Sequence, residues 1–155
     1  MKNDKEEKYL LTRNIEERDA EEIFALLNDL DEKIKIFFHP HSFDCNTIES
    51  ICKSKKDHYF VMILNKKIIG YSFLRLFGYE TPSFGIVIRR GFTGKGYGKI
   101  LTRWTIDKAR ELGYKKVILK TYKENIPAQR IYKKIGFKIT GESEDKKEYK
   151  MELEF

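Results

Sequence analysis

SFGIVIRRGFTGKGYGKILTRWTIDKAREL, residues 83–112, reads as a strand, a glycine turn and a helix in succession. Phe84, Ile86, Val87 and Ile88 form a nearly continuous apolar run rich in β-branched side chains. Such a run suits a strand covered on both faces. Gly91, Gly94, Gly96 and Gly98 then follow within eight positions, a density that lets backbone turn tightly and approach a ligand closely. From Lys99 onward Ile100, Leu101, Trp104, Ala109 and Leu112 recur near helical spacing, and Gly113 supplies a stop. A glycine turn feeding a helix presents unpaired N–H groups and the positive end of the helix dipole, which together favour an anion. Two familiar phosphate loops do not fit. A P-loop pairing Gly91 with Gly96 needs Lys at the next position and meets Tyr97, and a dinucleotide fingerprint starting at Gly96 needs Gly or Ala where Leu101 stands. Glycine content alone leaves a pyrophosphate cradle and a plain structural turn both open.

A chain of 155 residues fits one domain able to bury a core. Its 41% hydrophobic and 14% aromatic content excludes global disorder. No apolar run reaches the ~18 residues of a membrane span. Residues 1–8 form a charged, polar tail without the apolar segment of a signal peptide, so a cytoplasmic protein with no membrane partner is expected. The net charge of +7 permits an anionic ligand, and Arg89, Arg90, Lys95, Lys99 and Arg103 crowd the central stretch. No nucleic-acid recognition motif accompanies that charge, and no nucleic acid is expected as partner. Cys45 and Cys52 do not make a disulfide framework in a chain this long. The spacing His39, His41, Cys45, Cys52 matches none of the usual zinc patterns, so no metal is expected.

Taken in order, residues 9–12 suggest a short strand, and residues 19–30 a helix with Asn14 or Asp19 as candidate cap. Residues 32–52 are aromatic and irregular, with Pro40 disfavouring helix at His39 and Asp44 able to cap a helix containing Ile48, Ile51 and Cys52. Residues 57–64 and 67–77 read as a hairpin across Asn65-Lys66, with Gly70 marking a bulge or a close backbone approach. Beyond the central helix, residues 115–122 form a strand and residues 125–135 a helix capped by Asn125 and ended by Gly136. Residues 137–140 and 148–155 supply the last strands. The expected fold is α/β (α+β): a single mixed, mostly antiparallel sheet of about seven strands flanked by about four helices.

Thr93-Gly94-Lys95-Gly96-Tyr97-Gly98, followed by Asn125-Ile126-Pro127-Ala128, Tyr132 and Gly136-Phe137, resembles the GNAT superfamily of acyl-CoA-dependent N-acetyltransferases. The loop matches that family's (Arg/Gln)-x-x-Gly-x-(Gly/Ala) signature except that Thr93 stands where the family has Arg or Gln. The element order is similar throughout, so the likeness covers most of the chain. The resemblance implies acetyl-CoA as co-substrate. Backbone N–H groups of Gly94, Lys95, Gly96, Tyr97, Gly98 and Lys99 would hold its pyrophosphate. Its pantetheine arm would lie along Ile86, Val87 and Ile88 where that strand splays from residues 115–122, with Asn125 bonding the arm and Ala128 leaving room beside it.

The chemistry implied is direct attack of an amine on the thioester, with a backbone N–H near Ile88 for the oxyanion and Tyr132 as general acid. Glu80, His39 and His41 are candidate bases. Some relatives acting on protein N-termini carry Glu five residues before the Asn; Lys120 occupies that position here. The expected acceptor is a primary amine on a small molecule such as an amino acid or amino sugar. The alternatives are a protein N-terminus or lysine, or a non-catalytic acyl-CoA sensor. The chain is expected to act as a monomer or homodimer.

Overall fold

The computed structural model describes residues 9–155, and the polar tail expected over residues 1–8 lies outside them. The elements run β1 (Leu10–Asn14), a 3-10 turn at Glu17–Asp19, α1 (Ala20–Asn28), α2 (Glu32–Phe37), α3 (Cys45–Lys53), β2 (His58–Leu64) and β3 (Lys67–Arg75). They continue as β4 (Ser83–Ile88), α4 (Tyr97–Glu111), β5 (Lys116–Tyr122), α5 (Ile126–Ile135), β6 (Lys138–Glu142) and β7 (Glu148–Glu154). No helix among the described residues is long and apolar enough to cross a membrane. The strands form one sheet in the order β1-β2-β3-β4-β5-β7-β6. Every neighbouring pair is antiparallel except β4 and β5, which run parallel across the α4 connection.

Period-2 alternation explains why this sheet is covered on both sides. Tyr59, Val61, Tyr71, Phe73 and Val87 pack with Ile23, Leu26 and Leu27 of α1 and Ile48 of α3. Phe60, Leu74, Phe84, Val117, Leu119 and Met151 pack on the other face with Ile106 and Ala109 of α4 and Tyr132 of α5. Caps appear where sequence placed them. Asp44 accepts the Thr47 N–H at 2.8 Å, Asn125 stands at the N-cap of α5 and Gly136 ends that helix at φ 117°. Asp19 departs from its expected role: its carboxylate takes two bonds from Arg13, at 2.7 and 2.8 Å, and the Glu16 N–H at 2.7 Å. Burial opposes its ionisation, but Arg13 and that N–H prevail and hold the carboxyl below its ordinary range.

Two expectations are corrected. There are five α-helices rather than about four, because α2 folds within the stretch expected to be irregular. It spans six residues and buries none of them, so it leaves no amphipathic stripe for sequence to display. The second hairpin strand ends at Arg75, two residues short of the expected Phe77. Asp57 Oδ1 accepts the Leu76 N–H at 2.8 Å, and Phe77 turns into the left-handed region at φ 48°. At Gly70 both expectations hold. The register slips beside it, pairing Met62 with Gly70 but Ile63 with Ile68, and a Cβ there would stand 2.9 Å from Leu101 Cδ2.

At Gly85 the Phe73 ring lies across the backbone. A Cβ would meet Phe73 Cζ at 2.1 Å. Gly85→Ala is therefore expected to destabilise the protein by about 1–3 kcal/mol through overpacking, read as a lowered urea midpoint.

Candidate active site

The β4–β5 pair is formed at a single rung, Ser83 opposite Ile118, with the Ile118 N–H on Pro82 O at 3.0 Å. Beyond it the two strands part. The Arg89 N–H bonds back to Ile69 O at 2.7 Å. Bonding direction alternates along a strand, so Val87 and Gly85 also face β3, while Ile86 and Ile88 turn N–H and C=O into the gap. That gap exposes the edge an extended, amide-bearing chain can complete as an added strand. The side chains divide differently: Val87 lies in the α1 and α3 core, whereas Ile86 and Ile88 pack on the α4 side.

The glycine turn closes one end of the gap. Gly94 and Gly96 adopt φ 73° and 90°, a region that costs L side chains roughly 1–2 kcal/mol. A Cβ at either would meet nothing within 4 Å, so glycine is required there for conformation rather than space. Gly96 is the N-cap of α4 and offers no side-chain cap. The N–H groups of Tyr97, Gly98 and Lys99 are therefore left for an anion. The Tyr97 ring itself is buried with Met62, Leu64, Ile69 and Leu101, so only its backbone serves the cradle. A Cβ at Gly98 would stand 3.7 Å from Ile88 Cγ1 and 3.9 Å from Ile131 Cδ1, which puts the cradle beside both β4 and α5. Of the crowded cations, Arg89 is tied to Ile68 O at 3.1 Å and Arg90 to Asp31 at 3.4 Å. Lys95, Lys99 and Arg103 are exposed.

At the far side of the gap α5 carries Asn125, Ala128 and Tyr132. Asn125 Oδ1 accepts the Ala128 N–H at 3.5 Å, and among the described residues its amide nitrogen makes no hydrogen bond. The Tyr132 ring meets Phe84 edge-on at 6.0 Å and Phe137 at 5.9 Å. Burial pushes its phenol far above the ordinary tyrosine range, so it stays protonated and able to donate. Among the described residues its hydroxyl makes no hydrogen bond.

A cavity of about 890 Å³ opens on the sheet face opposite α4 and α5 and reaches Phe84 and Leu119 at the splay. Phe37, His39 and Tyr122 form one wall, with Phe37 and His39 against Tyr122 at 5.4 and 6.0 Å. Phe73, Phe77 and Glu80 form another. Exposed His39 and Glu80 thus share the cavity. His41 is not among its lining residues: Nδ1 lies 2.8 Å from Ser42 O and Nε2 2.9 Å from the Tyr71 hydroxyl. The Ser42 carbonyl fixes the Nδ1–H tautomer, so Tyr71 donates to Nε2 and both nitrogens are engaged. Burial lowers the His41 pKa, so acidification through the ordinary histidine range costs stability instead of freeing a base. Arg75 and Lys150 also line the cavity, and sequence had not marked them. A second groove, of about 650 Å³, lies by Arg13 and Asp19 and contains none of the expected site residues.

Known proteins share this fold. The model of the acetyltransferase (GNAT) family matches residues 12–137. A GNAT-family acetyltransferase from Streptococcus pneumoniae superposes with a TM-score of 0.80 at 23% identity, covering 95% of this chain and 99% of that one. Ribosomal-protein-S5-alanine acetyltransferase from Vibrio fischeri gives 0.80 at 17%, over 94% and 92%. PaiA N-acetyltransferase from Thermoplasma acidophilum, solved with coenzyme A, gives 0.79 at 14%, over 95% and 99%.

Proposed function

The chain belongs to the acetyltransferase (GNAT) family and is an acyltransferase, and from that premise we propose that it moves an acetyl group from acetyl-CoA to a primary amine on a small molecule. The observation that carries this is the splay: the free Ile86 and Ile88 edge runs between an empty-handed helix N-terminus and a buried, protonated tyrosine. A pyrophosphate suits the first, an amide-bearing arm the edge, and a leaving thiolate the third. The cavity on the acceptor side, about 890 Å³, is of a size that encloses small molecules, which supports such an acceptor over a protein.

When bound, acetyl-CoA supplies the activated acyl group as a thioester. The backbone N–H groups of residues 94–99 hold its phosphates, and Ile86, Ile88 and Asn125 align its arm. The amine attacks the carbonyl carbon; a C–N bond forms and the C–S bond breaks. An N–H at Ile88 stabilises the oxygen as charge develops there. Tyr132 gives its proton to the departing sulfur. The proton lost by the amine goes to Glu80 or His39, directly or through water; His41, with both nitrogens engaged, is not assigned this part.

The test is calorimetric titration with acetyl-CoA, followed by thiol release over a panel of amines. Micromolar binding and amine-dependent release are expected. Binding without release on small amines but with release on peptides would move the acceptor to protein. Binding without any release would make the chain a sensor.

A further inference from the structure

Lys120 of β5 and Lys150 of β7 stand directly opposite each other across an antiparallel pair, and both line the cavity. Like charges so placed destabilise a sheet. Neighbouring charges on the same floor are resolved differently: Lys116 and Glu152 pair at 3.8 Å. Among the described residues, neither Lys120 nor Lys150 has a carboxylate within ion-pair distance. Arg75, which lines the same cavity, is held by the Pro40 carbonyl at 2.8 Å and by the Phe77 ring at 4.4 Å. Among the described residues its buried Nε has no hydrogen-bond partner, a donor whose desolvation none of them offsets.

We propose that the acceptor amine carries a carboxylate, seated between Lys120 and Lys150 with Arg75 adding charge, on a body apolar enough for the aromatic walls. This rests on the acetyltransfer proposed above and specifies its substrate class. A monoanion fits best, because Glu148 stands in the same lining and offsets part of the positive charge, while Glu152 is taken up by Lys116. Such a group would turn the repulsion between the lysines into charge-assisted hydrogen bonds. It also disfavours polyamines, whose second cation would meet the lysine pair.

Matched acceptors test it: phenylalanine against phenylalaninamide, leucine against leucinamide, and spermidine. An amide's amine is less basic, so more of it is unprotonated near neutral pH, and intrinsic reactivity runs against the expected result. The acids are expected to exceed their amides at least tenfold in kcat/KM. Lys120→Gln with Lys150→Gln should reduce the acids about ten- to a hundredfold, leave the amides within twofold, and leave the melting temperature equal or higher. Amides or spermidine outpacing the acids, or acids untouched by the double variant, would overturn the assignment. Phenylacetate, which has no amine, separates this failure from failure of the enzyme itself. Calorimetry should show it binding wild type and not the double variant, whether or not any amine turns over; equal binding, or none to either, counts against the lysine cradle.

Discussion

Tyr132→Phe is expected to lower kcat by about 10²–10³, some 3–4 kcal/mol of transition-state stabilisation, while acetyl-CoA affinity stays within twofold. The ring would remain packed on Phe84 and Phe137, so the melting temperature should hardly move; the hydroxyl makes no hydrogen bond among the described residues that its loss would break. Only the proton for the leaving sulfur disappears. Because burial raises the phenol pKa, the group stays protonated across the working range. No basic limb of the wild-type pH profile below the ordinary tyrosine range should then trace to Tyr132. Thioesters of more acidic thiols need less help in leaving, so the deficit should shrink with them. Undiminished kcat on acetyl-CoA would return Tyr132 to a purely structural place among the aromatics of that core.

What sequence could show of this site was local. Residues 83–112 displayed strand, turn and helix because each depends on near neighbours: β-branched apolar residues, glycines, then helical spacing. Asn125 and Gly136 were legible as cap and stop for the same reason. The α2 helix was not, since six residues without a buried face carry no periodicity. The cavity depended on pairings distant in sequence. Lys120 meets Lys150 only because β7 inserts between β5 and β6, an order that hairpin logic between consecutive strands does not produce. His39 and His41 differ by two residues around Pro40, yet one lines the cavity and the other bonds Tyr71, thirty positions away. Residue type marked both as candidate bases; only tertiary packing separates them. The motif also named Tyr97 without saying that its backbone and ring serve different parts of the molecule.

Gly96→Glu should weaken acetyl-CoA binding by at least a hundredfold, and the loss should fall on the phosphates alone. Two costs add. A non-glycine residue at φ 90° pays roughly 1–2 kcal/mol for the left-handed region, and a carboxylate at the N-cap of α4 competes for the N–H groups that would hold the pyrophosphate. The side chain meets nothing within 4 Å at its Cβ, so no clash spreads into the core. Gly96→Ala isolates the first cost and should weaken binding about tenfold. S-acetylpantetheine has the thioester and the amide arm but no pyrophosphate. Its turnover, weak in wild type, should survive in the Glu variant, because the Ile86 and Ile88 edge, Asn125 and Tyr132 are untouched. Equal damage to both acyl donors would mean that Gly96 supports the packing of α4 rather than an anion. Loss confined to acetyl-CoA would assign the phosphates to the glycine turn and the reacting end to the splay, two parts of one ligand held by two separable features of the fold.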